Sequence, residues 1–181
     1  MTVPFTLAAL GATALTEGIK FLYGQATELL KRHRERKQGT EDAPEVLDPK
    51  TPPQSEVLEG KITAQAIDQA ALDRDAKLLL ELRRTLADYV DGIMPATASD
   101  TRLLEVADAL RGLLEVIYGQ HITFTGERRP PSGTPLDRDA VAKEAEARAS
   151  AVTVIVKGER AVGIGRDNVG GVIITGDQAD S

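Results

Sequence analysis

The chain has 181 residues, no cysteine, no tryptophan, two histidines and a formal net charge of −6. These numbers exclude a disulfide framework, a thiolate metal site and a thiol nucleophile, and His33 and His121 alone are too few for a histidine-rich metal site. The hydrophobic share is 41%, but 24 of those residues are alanine and only 46 are Leu, Val, Ile or Phe, so the core is modest for one domain or two small ones.

Residues 1–37 are read as an N-terminal helix. The segment fails as a secretory signal, because its basic cluster follows the apolar run instead of preceding it. Fifteen uncharged residues, Thr2 to Thr16, fall short of the roughly 20 that a membrane span needs. On a helical wheel Thr13, Glu17, Lys20, Gly24, Thr27, Glu28 and Lys31 form one narrow polar stripe, and the remaining circumference is apolar. Leu15, Leu22 and Leu29 recur at intervals of seven, with Gly11 and Gly18 between them, a pattern that lets another helix approach closely. Such a helix is expected to be buried in an assembly or to lie in a membrane. Leu15, Gly18, Leu22 and Leu29 are accordingly candidate interface residues.

Lys31, Arg32, Arg34, Arg36 and Lys37 stand against Glu35 alone, and six acids opposed by Lys50 alone follow between Glu41 and Glu59. The basic cluster suits a helix C-terminus, an anionic lipid surface or nucleic acid. Nucleic acid fits least, since no aromatic residues interleave the cluster and the rest of the chain is acidic. Lys31, Arg32, Arg34 and Arg36 are therefore the candidate lipid contacts. Residues 38–60, with Pro44, Pro49, Pro52 and Pro53, are expected to form an extended, solvated linker.

Residues 61–127 predict a helical hairpin and a short strand. Leu72, Ala76, Leu79, Leu82, Leu86, Val90 and Ile93 lie on one helical stripe that Asp91-Gly92 and Pro95 terminate. Thr97 or Ser99 is expected to cap a second helix carrying Leu103, Val106, Ala107, Leu110, Leu113, Leu114 and Ile117, closed by Tyr118-Gly119. Two such helices bury too little alone and need a third helix, a sheet or another subunit. Residues 120–125 alternate in polarity and predict a strand. Residues 128–150 are read as a loop followed by an Ala-rich helix.

Residues 151–181 carry a ten-residue repeat. Val152, Val162 and Val172 open three blocks, Val154, Ile164 and Ile174 follow two residues later, and each block then turns polar. Short β-branched runs between Gly-rich turns predict a β-meander or a β-roll whose edges need capping or self-association. Ala161 to Asn168, AVGIGRDN, resembles the head repeats of trimeric autotransporters, which implies a β-roll wound from three chains. Gly163, Gly165, Asp167 and Val169 also resemble the repeats-in-toxin calcium motif, but no second full copy follows to complete a calcium site. The style of the tail is similar to that of actinobacterial defence-associated proteins, which implies a part in bacterial defence.

The residues offer little for catalysis. Gly163-x-Gly165 with Gly170-Gly171 lacks the lysine and helix of a phosphate loop. His121, near Tyr118, Glu115 and Glu127, reads as an exposed or half-buried strand histidine rather than a general base. Asp73/Asp75 and Glu144/Glu146, two residues apart, point to different helix faces. The chain is thus expected to be mainly α, with a helical hairpin and a small β-rich C-terminal region. No catalytic residue, cofactor or metal is expected. Function is expected to be non-enzymatic: a cytoplasmic assembly or adaptor protein that self-associates through its N-terminal helix and through Val152, Val154, Val162, Ile164, Val172 and Ile174. The alternative is a membrane-associated protein or effector whose first helix inserts in a bilayer with the basic cluster at the cytoplasmic face.

Overall fold

The computed structural model describes residues 6–39, 55–63 and 66–137. They contain a 3-10 turn, Thr6–Ala9, and three α-helices: α1, Ala12–Lys37; α2, Gln69–Val90; and α3, Thr101–Tyr118. The predicted Ala-rich helix and the β-rich tail lie outside the described residues.

The helices form where their apolar periodicity and their caps agree. In α1, Leu15, Ile19, Leu22, Ala26 and Leu29 alternate steps of four and three and are all buried. The polar stripe faces outward, with Thr13, Glu17, Lys20, Gly24, Glu28 and Lys31 exposed and Thr27 half-buried. Glu17 and Lys20 pair along it at 3.0 Å. Basic residues Arg34, Arg36 and Lys37 occupy the last turn, where the helix dipole favours cations. The second helix starts at Gln69 because Asp68 is its cap: the carboxylate accepts from Ala71 N at 2.9 Å. Asp100, rather than Thr97 or Ser99, caps α3 in the same way, accepting from Leu103 N at 3.0 Å. Gly119, in the left-handed region at φ 67°, ends α3.

The three helices pack up, down and up. Arg36 near the end of α1 meets Asp73 near the start of α2, and Arg83 further along α2 meets Thr27 and Tyr23, so α1 and α2 run antiparallel. The α2–α3 pair is an antiparallel hairpin, tied near its turn by Tyr89 Oη donating to Asp100 at 2.8 Å. Tyr118 at the end of α3 donates to Gln25 in mid-α1 at 2.8 Å, which places α3 parallel to α1. The third helix that the hairpin needs is thus α1 of the same chain. Leu103, Leu104 and every residue from Val106 to Tyr118 are buried, making α3 the central element.

Residues 120–136 fold back along α3, and residues 55–60 pair with them. Leu58 opposes Phe124 in an antiparallel bridge, Gly60 opposes Ser132 in a parallel one, and Gln120 opposes Pro135 in an antiparallel one. Glu59 N donates to Thr123 O at 2.8 Å and Ser132 N to Glu59 O at 2.7 Å. The last part of the expected linker is therefore docked, with Leu58 buried beside Phe124. At the crossing, Gly133 has φ 87° and a Cβ there would stand 2.1 Å from Lys61 O, so both backbone conformation and space require glycine.

The strand expected at 120–125 does not form among the described residues; its pairing is limited to isolated bridges. The physical reason lies in the donors of three successive residues. Ile122 N donates to the Glu115 carboxylate at 2.8 Å, Thr123 N to Ser132 Oγ at 2.9 Å and Phe124 N to the Glu127 carboxylate at 2.7 Å. Side chains thus take the backbone groups that a ladder would use.

Candidate functional site

The chemistry-bearing residues of the described body gather in two places. The first is a buried ion network between α3 and the returning segment. Asp108, Arg111 and Glu115 are spaced by three and four residues, so one side of α3 carries all three. Arg111, 2% exposed, donates to Asp108 and, at 2.6 Å, to Glu127. Arg129 grips both oxygens of Glu115 at 2.9 and 3.0 Å and reaches Ile122 O at 3.3 Å. Burial alone lowers the pKa of the Arg111 guanidinium, but Asp108, Glu127 and Glu115 outweigh it and hold the group above its ordinary value.

Each carboxylate in this network therefore has a structural task. Glu115 and Glu127 join a guanidinium to a backbone N–H of the returning segment, and Asp108 supports Arg111. His121 stands at the margin, half-buried, with Nδ1 3.9 Å from Glu115 Oε1. Burial, which outweighs the attraction of Glu115, holds its pKa below the ordinary histidine value, and Arg129 and Arg111 act in the same direction as burial. The arrangement clamps 120–136 onto α3. Among the described residues no group of three or more His, Asp and Glu is placed to hold a metal ion.

The second place is a groove of about 460 Å³ beside the α2–α3 turn. One face of α2 contributes Glu81, Arg84, Thr85 and Asp88, while α3 contributes Arg102, Leu103 and Val106, and Met94 of the turn also lines it. Tyr89 lies in its wall, and burial followed by its hydrogen bond to Asp100 pushes the phenol pKa up to about 12. Ile93, 72% exposed, and Met94, 42% exposed, are the large hydrophobic residues left open among the described residues. They are adjacent in sequence and sit beside this groove. The helical stripe placed Ile93 on the buried face of α2, but the helix ends at Val90 and Gly92 turns the chain, so Ile93 is left outside the core with Met94.

The residues singled out from sequence are distributed differently. Leu15, Gly18, Leu22 and Leu29 are buried within the chain's own core, so their apolar surface is taken up intramolecularly in this fold. Gly18 admits an aromatic ring rather than a helix: a Cβ there would lie 3.3 Å from the ring of Phe124, which also meets Phe21 edge-on at 6.3 Å. Lys31 and Arg34 are exposed and Arg32 is half-buried, while Arg36 pairs with Asp73. His33 Nδ1 is 3.0 Å from the same carboxylate, and the Arg36 hydrogen bond, outweighing the effect of burial, holds Asp73 below the usual carboxylate range. Asp75 instead pairs with Arg74 at 2.8 Å. Val152, Val154, Val162, Ile164, Val172 and Ile174 lie outside the described residues. No helix among the described residues is long and apolar enough to cross a membrane.

The chain matches no known protein family, no curated protein and no solved structure.

Proposed function

We propose that this chain is a non-enzymatic assembly protein that self-associates, with its helical body as scaffold and its C-terminal β-branched repeat as a further contact. The observation that carries the reading is the position of the remaining exposed bulky side chains. The apolar face of α1 is consumed inside the chain, whereas Ile93 and Met94 stand open together at the α2–α3 turn beside a groove. Exposed aliphatic pairs at a concave site favour protein contact. The ion network supports the same reading, because its carboxylates and guanidinia are engaged in holding the returning segment. Light scattering on the purified full chain tests the proposal: a defined mass above the 19.4 kDa of one chain is expected, and a single-chain mass at every concentration would overturn it.

A second reading, attachment to an anionic membrane surface, draws on Lys31 and Arg34 at the exposed end of α1. Cosedimentation with phosphatidylserine vesicles that falls on replacing both residues by Gln favours it. Equal recovery with neutral vesicles counts against it.

A further inference from the structure

We infer that the groove at the α2–α3 turn is the contact with a second copy of this chain, arranged about a two-fold axis with the two α2 helices antiparallel. The inference rests on the self-association reading and assigns it a surface. Charge decides the occupant. Arg84 and Asp88 are exposed, one turn apart on the same face of α2, and among the described residues neither has an ion-pair partner. A ligand of one charge sign meets one of them and is repelled by the other. In a two-fold antiparallel arrangement Arg84 of each copy faces Asp88 of the other, so a single operation satisfies both residues twice.

The apolar part of the surface fits the same geometry. Ile93 and Met94 are exposed at the turn beside the groove, whereas Leu103 and Val106, which back its α3 side, are buried in the core. Two copies related in this way carry one exposed apolar tip, Ile93 with Met94, at each end of the charged contact. Glu81 and Asp88 balance Arg84 and Arg102 in its lining, so the groove offers no net positive charge to nucleic acid or anionic lipid.

The absence of cysteine makes the test clean. Thr85→Cys in the full chain is expected to form a disulfide-linked dimer under mild oxidation, while Lys20→Cys on the outer face of α1 is not. Arg84→Glu is expected to weaken the dimer by roughly tenfold or more through like-charge opposition, and adding Asp88→Arg to the same chain restores it. Ile93→Asp also dissociates it. Circular dichroism verifies that each variant keeps its helices, and the restoring double variant distinguishes lost contact from lost fold. A wild-type chain of single-chain mass overturns both this inference and the self-association reading. An oligomer that Arg84→Glu and Ile93→Asp leave intact, with no cross-link at Thr85→Cys, overturns the groove alone.

Discussion

Arg111 shows what one buried charge demands of its surroundings. With 2% of the residue exposed, its guanidinium depends on Asp108 and Glu127, and Glu127 in turn holds Phe124 N at 2.7 Å. Removing one partner of a buried pair leaves an uncompensated ion and costs about 3–5 kcal/mol. Glu127→Ala is therefore expected to lower unfolding stability on that scale, and Glu127→Gln by less, because the amide oxygen still accepts from Phe124. Urea titration followed by circular dichroism checks the order. His121 makes a separate prediction through protonation. Its folded pKa lies below the ordinary value of 6.5, so the unfolded chain binds more protons in the interval between the two. The stability that neutral His121 retains is complete above pH 6.5 and is lost as pH falls through and below it. His121→Gln should flatten this part of the stability profile, read as thermal midpoints at about pH 7.5 and about pH 5.5. An unchanged slope assigns the pH dependence to other groups.

At the scale of elements, two aspartates decide where helices begin. Asp100 caps α3 and also receives the Tyr89 hydroxyl, which makes it both a terminus and a tie between α2 and α3. Asp100→Ala is expected to cost about 1 kcal/mol for the lost cap, and it removes the carboxylate whose hydrogen bond and charge add to burial in raising the Tyr89 pKa. The Tyr89 phenol should then titrate below about 12 while staying above 10, since burial remains; absorbance of tyrosinate reads the change. The helices themselves were legible in the sequence, because Leu72, Leu79, Leu82 and Leu86, like Leu103, Val106, Leu110 and Leu114, repeat at helical spacing whatever covers them. The caps were displaced by a few residues because Thr97, Ser99 and Asp100 are all good capping types, and only backbone geometry chooses among them. The segment at 120–125 departs from a strand for a deeper reason. Its alternation puts Ile122 and Phe124 inside, but Thr123 between them is buried as well, so alternation marks no solvent face here. It does not report that Glu115 and Glu127 supply the backbone acceptors. Glu115 lies on another element and Glu127 beyond a turn, so neither pairing could be read from local pattern. The same limit hid the docking of Leu58, whose partner Phe124 is distant in sequence.

For the whole molecule, the thin core foreseen from composition is completed mainly by the chain itself. The α1 helix closes the α2–α3 hairpin, and residues 55–60 with 120–136 cover the end of α3, so Leu15, Leu22 and Leu29 have no apolar surface left to offer. The requirement for a partner was inferred correctly for the hairpin as a physical need, yet its location was not legible. Periodicity shows that a face is apolar without saying which chain covers it. Among the described residues what stays open is small and local, Ile93 and Met94 with the charged groove, and that locality makes the assembly proposal measurable without knowing a ligand. A folded two-fold dimer couples association to stability by mass action, so its thermal midpoint depends on concentration. A tenfold rise in concentration contributes about 1.4 kcal/mol per dimer, half of that per chain, and at about 2–4 °C per kcal/mol for chains of this size the midpoint should rise by about 2 °C. Calorimetry across a hundredfold range of concentration resolves such a trend if association persists to the melt. Arg84→Glu should move the dependence to concentrations roughly tenfold or more higher, while leaving the low-concentration midpoint near that of the wild type, because Arg84 is exposed and makes no ion pair among the described residues. A wild-type midpoint that does not move with concentration would show that the fold reaches its full stability as a single chain.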